Sequence, residues 1–171
     1  MSTTTIDEQL AEARRRIHRL QANAASPRIR RHLRALQQEE ASARAATRQA
    51  PDDVEEKLGL LKTRLDVAEH SLAADVAGDW ASFVAAVEAE LSSWDTYLER
   101  LQTSVAASAW KAREQAEATI SEIRSRRIAV DERLAQARAS AGAVSHEARR
   151  RVTAARDELE EKADDLSANL T

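Results

Sequence analysis

From Trp80 onward, apolar residues recur at alternating steps of four and three, and no Gly or Pro interrupts residues 79 to 141. The stripe runs Trp80, Val84, Val87, Leu91, Trp94, Leu98, Leu101, Val105, Ala109, Ala112, Ala116, Ile120, Ile123, with Arg127 in phase, then Val130, Leu134, Ala137 and Ala141. Only a helical period keeps such positions on one face; a strand would alternate. One continuous helix over 79–141 would be roughly 90 Å long. A periodic run of that length predicts a coiled coil or an elongated bundle.

The flanking segments carry the same signature in shorter pieces. Thr5 and Glu8 form a capping box, which predicts a helix from about Ile6 with Leu10, Ala13, Ile17 and Leu20 on its stripe. Ser26 and Pro27 are an N-cap and a first helical residue for a second helix reaching about Gln49, with Ile29, Leu33 and Leu36 on one face. Asp52 and Glu55 make an acidic capping box after Pro51. The stripe that follows is Val54, Leu58, Leu61, Leu65, Ala68, Leu72 and Val76. Gly78-Asp79 either ends this helix and caps the next, or is tolerated inside one longer helix, because the stripe stays in phase into Trp80. Gly142 ends the long run, and Ser145 can cap a last helix to about Asn169.

Composition agrees. The chain of 171 residues holds 36 Ala, three Gly and two Pro, and aromatics are only 3%. That balance favours helices with thin seams between them. The expected fold is therefore all-α: an elongated antiparallel bundle or coiled coil of four to five helices, including the long one. Two regions are expected, an Arg-rich helical hairpin at 1–50 and a long-helix coiled-coil region at 51–171. Cysteine is absent, which excludes disulfides and a thiol nucleophile and suits a reducing cytoplasm. No signal-peptide core and no apolar run long enough to span a bilayer is present.

Charge is segmented. Residues 1–50 carry a net +5, residues 51–110 a net −8, and residues 111–171 are balanced, giving −3 in all. The simplest expectation is that the basic front packs against the acidic middle. The rival is that Arg14, Arg15, Arg16, Arg19, Arg28, Arg30, Arg31 and Arg34 form a patch for nucleic acid or lipid headgroups. They lack interleaved aromatics for base stacking.

Chemistry-bearing motifs are sparse. The four histidines fall on separate predicted helices, and only Asp66 and His70, with Glu69 beside them, share a helix face. A carboxylate-bundle metal site needs such pairs repeated as Glu-x-x-His, which does not occur. No Gly-rich phosphate loop and no nucleophile elbow is present. No enzyme activity, metal or cofactor is expected. Among the aromatics, Trp80 and Trp94 sit on the stripe and are expected to pack. Trp110 lies about 130–140° away from it, beside Ala106, Ala107 and Arg113, and is either filler for a second packing face or the anchor of an interface.

The stretch from "AAVEAELSSWDTYLERLQ" through "AEATISEIRSRRIAVDERLAQARAS" to "ARDELEEKADDL", about residues 84–166, resembles small bacterial helical proteins of a stress-response family best known from cyanobacteria. The composition is also similar to that of apolipoprotein-like helical proteins. The first resemblance implies a soluble helical protein in a stress setting, with no catalytic residues or cofactor. Together these readings give a non-enzymatic, cytoplasmic structural or protein-interaction protein that self-associates or binds a protein partner. A peripheral lipid-surface binder is the alternative, and a nucleic-acid binder through the basic hairpin the third reading.

Overall fold

The computed structural model describes residues 3–50, 53–106, 110–139 and 146–169, with side chains for residues 5–50, 53–106, 112–139 and 146–165. The described residues form six helices and no strand: α1 (Thr3–Gln21), α2 (Pro27–Gln49), α3 (Val54–Val76), α4 (Trp80–Ala106), α5 (Trp110–Ala139) and α6 (His146–Asn169). The all-α expectation holds. α1 starts at Thr3, a few residues ahead of the capping box. α2 has the expected cap, with the Ile29 N–H donating to Ser26 Oγ at 3.4 Å and Pro27 in the first turn. The Asp52 half of the next capping box lies outside the described residues, as do Gly142 and Ser145. Asp79 caps α4: its carboxylate accepts from the Ser82 N–H at 2.8 Å and from the Ser82 hydroxyl at 2.6 Å. Gly78-Asp79 is therefore a true break, and α3 and α4 are separate helices packed on each other.

The single long helix over 79–141 is not what forms. α4 ends at Ala106 and α5, beginning at Trp110, returns antiparallel along it, so the helix count is six rather than four to five. The side-chain pairs record the reversal. Gln102 meets Arg124, Asp95 meets Arg127 at 2.8 Å, and Glu88 meets Arg138 at 2.5 Å, so partners move apart in sequence with distance from the turn. Most of the stripe is buried: Val84, Val87, Leu91, Trp94, Leu98, Leu101, Val105, Ala116, Ile120, Ile123, Val130 and Leu134 are, while Ala112 is exposed, Trp80, Arg127 and Ala137 are half-buried, and Ala109 and Ala141 lie outside the described residues. Periodicity reports which face is covered, not whether another chain or the same chain folded back covers it. Burying both halves of the stripe against each other outweighs the few hydrogen bonds lost at one break. The longest helix is then α5, 30 residues or about 45 Å.

Five helices close a ring. α2 packs on α3, α3 on α4, α4 on α5 and α5 on α6, and α6 returns to α2; α1 lies outside against α2 and α3. The consecutive pairs are antiparallel, as the Arg126–Glu158 and Lys162–Glu122 pairs between α5 and α6 illustrate. An odd ring must contain one parallel pair, and it is α2 with α6. Arg28, His32 and Arg34 rise along α2 beside Asp157, Glu160 and Asp164 along α6. Residues 1–50 are thus built into the same body as the rest.

α3 has two buried faces. Leu61, Leu65 and Ala68 pack with Ala13, Ile17, Ile29, Leu33 and Leu36. Leu60, Val67 and Ala74 join the larger cluster that contains Phe83, Trp94, Ile123, Val152 and Leu159. Trp94 is fully buried and Trp80 is half-buried at the edge of that cluster. Val76, assigned to the stripe, is exposed.

The hairpin can be measured directly because the chain has no cysteine of its own. Spin labels on Glu88→Cys and Arg138→Cys should report a separation of about 20 Å or less by pulsed dipolar spectroscopy, since helices pack about 8–10 Å apart. A continuous helix would place them about 75 Å apart.

Candidate functional site

The polar residues inside the ring stand at apolar positions of helical stripes. On α2 the run Ile29, His32, Leu36, Glu39, Ala43, Ala46 steps by three and four, and so do Leu60, Arg64, Val67, Ser71, Ala74 on α3 and Val87, Glu90, Trp94, Tyr97, Leu101 on α4. On α6, Val152, Arg156, Leu159, Ala163 does the same, with Glu160 beside Leu159. Each helix therefore aims one or two polar side chains at the middle of the bundle. His32, Ser71 and Glu160 are 0% exposed, and Arg64, Glu90 and Arg156 are 1% exposed.

Arg156 is the hub. Its Nε donates to Glu90 Oε2 at 2.7 Å, Nη1 to Asp75 Oδ1 at 3.1 Å, and Nη2 to the Ser71 carbonyl at 3.1 Å and hydroxyl at 3.2 Å. Asp75 also receives Arg28, whose Nη2 reaches Asp157 Oδ1 at 2.7 Å. Arg64 takes a different environment. Its guanidinium lies 4.5 Å from the Trp94 ring centroid and 5.4 Å from that of Tyr97, and Nη2 is 3.8 Å from Glu160 Oε2. The Tyr97 hydroxyl donates to Glu39 Oε1 at 2.6 Å. His32 Nε2 lies 2.7 Å from Glu160 Oε1, but without hydrogen-bond alignment, so the contact is electrostatic.

Burial sets the protonation of this group. Desolvation pushes Glu90 up against the pull of Arg156, and the like charge of Glu160 adds to the rise. Glu160 is desolvated as well, yet His32, Arg64 and Arg28 bring it below the usual carboxylate range. Desolvation also raises Glu39, and it raises the Tyr97 phenol, which faces Glu39.

An open cleft of about 470 Å³ lies at one end of the network, lined by Phe83, Arg149 and Arg150 together with Asp75 and Asp157. Arg149 stacks on Phe83 at 4.6 Å and donates to the Ala77 carbonyl at 2.6 Å, closing the C-terminal end of α3.

The residues singled out from sequence are placed as follows. Arg14 pairs with Glu40 at 2.7 Å, Arg15 with Glu12 at 2.5 Å, and Arg19 lies 4.0 Å from Glu12. Arg16 binds Asp66 at 2.5 Å and Glu69 at 2.8 Å. Arg28 is buried in the network. Arg30 donates to the Ala24 and Ala25 carbonyls, Arg31 lies 3.9 Å from Asp157, and Arg34 lies 3.5 Å from Asp164. All eight have partners within the chain. The basic front does meet the acidic middle through Arg16 and Arg28, and it meets α6 too, which segment charges did not indicate. Asp66 and Glu69 serve Arg16, while His70 Nδ1 pairs with Ser93 Oγ at 2.9 Å. Ala106 is the exposed last residue of α4, and Arg113 lies 3.9 Å from Glu117. Ala107 and the Trp110 side chain lie outside the described residues.

No protein-family model, curated protein or solved structure matches this chain. The class it belongs to is defined by its architecture: an all-α bundle closed around a buried ionic core.

Removing one partner of a buried ion pair costs about 3–5 kcal/mol, because the other charge is stranded. Arg156→Gln should therefore lower stability by that amount in chemical denaturation, and adding Glu90→Gln should restore part of it. A second expectation concerns pH. A carboxylate raised on folding binds protons more readily in the native than in the unfolded chain, so it weakens the fold as pH rises through its native value. Glu39→Gln should accordingly raise the melting temperature at pH 7, and the gain should vanish below the ordinary carboxylate value of about 4.3. The amide oxygen can still accept from Tyr97.

Proposed function

We propose that the protein is a non-enzymatic, cytoplasmic helical module with a structural or protein-interaction role. The observation that carries this reading is the internal use of the arginine hairpin. Each of the eight arginines that could have made a polyanion patch has an acidic or carbonyl partner in the same chain. Lipid binding has little apolar surface to work with: among the described residues, the exposed large hydrophobics are Val76 and Ile128. No described helix is long and apolar enough to cross a membrane. The resemblance to stress-response proteins supports a stress-associated setting for such a module. Its candidate contact residues are Ala106, exposed at the end of α4, and Trp110, which falls off the apolar stripe in the sequence. Interfaces favour Trp at such anchoring positions.

Anionic vesicles and duplex DNA should fail to retain the protein at physiological salt. Trp110→Ala should shift sedimentation toward smaller species with helicity intact. Trp94→Ala should instead cost about 3–5 kcal/mol of stability. Salt-sensitive retention on vesicles or DNA that is lost on replacing the exposed Arg14, Arg15 and Arg19 by Gln would overturn the reading in favour of a polyanion binder. Equal destabilisation by the two Trp substitutions, with no change in assembly, would assign Trp110 to the core.

A further inference from the structure

We propose that His32 of α2, Glu90 of α4 and Glu160 of α6 form a binding site for a single divalent transition-metal ion inside the ring. The three are the most enclosed titratable side chains on their helices, at 0%, 1% and 0% exposure. One ligand atom from each can be chosen so that all lie within 4.8 Å of one another. Neither nitrogen of His32, neither oxygen of Glu160, nor Oε1 of Glu90 has a hydrogen-bond partner. His32 Nε2 and Glu160 Oε1 approach to 2.7 Å without the alignment of donor to acceptor.

The charges around the site point the same way. One string runs Glu90, Arg156, Asp75, Arg28, Asp157, and a second runs Glu160, Arg64, Glu39. Both strings begin and end on a carboxylate; Glu90 and Glu160 meet at the site, while Asp157 at the far end is half exposed and also lies 3.9 Å from Arg31. Arg156 holds Glu90 by Oε2 and so presents Oε1 inward, in the manner of an outer-shell partner that orients a ligand.

One imidazole and two carboxylates suit Zn²⁺, Mn²⁺ or Fe²⁺. Ca²⁺ takes six to eight oxygens, and this site offers too few. The ligands come from three helices far apart in sequence, so no local spacing announces them.

The test uses the full chain stripped with a chelator. Zn²⁺ should bind at one equivalent in competition with a chromophoric chelator and should raise the melting temperature. Co²⁺ should give visible d–d bands that Zn²⁺ abolishes. Outer-shell losses cost about 10–100-fold in affinity, so Arg156→Gln should weaken Zn²⁺ binding by about 10-fold and Glu160→Gln by more than about 100-fold. His70→Gln should bind as the parent does. Imidazole ¹⁵N resonances of the unmutated chain give a readout free of folding effects: Zn²⁺ should move His32 alone. Absence of stoichiometric binding, or Zn²⁺ shifts at His18, His70 or His146 in place of His32, would overturn the proposal.

Discussion

The fold depends on a charged group that it has to keep dry. Arg156 sits at the centre of the ring, fully enclosed, and bonds α6 to Glu90 of α4 and to Ser71 and Asp75 of α3. Through Asp75 the same network takes in Arg28 of α2. Each nitrogen of the Arg156 guanidinium meets an acceptor, which offsets the cost of taking the charge out of water. Apolar seams tolerate small slips between helices, whereas these bonds do not. The ionic core therefore sets the register of four helices at once, a specifying role for buried charge.

That role matters more here than in an even bundle. With five helices in the ring, one neighbouring pair must run parallel, and its aligned helix dipoles give it no attraction of their own. The α2–α6 seam meets this with complementary charge. Arg28, His32 and Arg34 face Asp157, Glu160 and Asp164, and few large apolar residues are needed between the two helices. Elsewhere the neighbours are antiparallel and rely on apolar contact, most heavily around Trp94 and Ile123.

Much of this was legible in the sequence, and the failures have physical causes. The stripes of α1 and α2 are buried where periodicity put them, because a 3.6 period identifies a face irrespective of what covers it. The reversal between α4 and α5 was missed because neither Gly nor Pro marks it; the break lies in an Ala- and Ser-rich run that reads as good helix. The second face of α3 was missed because its stripe passes through Arg64 and Ser71, and a stripe counted from apolar residues alone stops at a charge. The same habit hid the ionic core. Continuing the steps of three and four through His32, Glu90 and Arg156 would have exposed it, since a charged residue in phase with core positions on several helices at once is the signal. Which helix receives which charge is a matter of topology, and segment totals say nothing of α6.

The parallel seam also fixes when the molecule can be complete. Hairpins α2–α3, α3–α4, α4–α5 and α5–α6 each join neighbours in the chain, so they can form as soon as both helices exist. The α2–α6 contact spans well over a hundred residues, as Arg28 and Asp157 illustrate. Until α6 emerges during synthesis, Glu90 lacks Arg156, His32 and Arg64 lack Glu160, and Arg28 has Asp75 but not Asp157. The interior of this protein is thus vectorial: its walls follow one another along the chain, and its charges are all matched only once the sixth helix closes the ring.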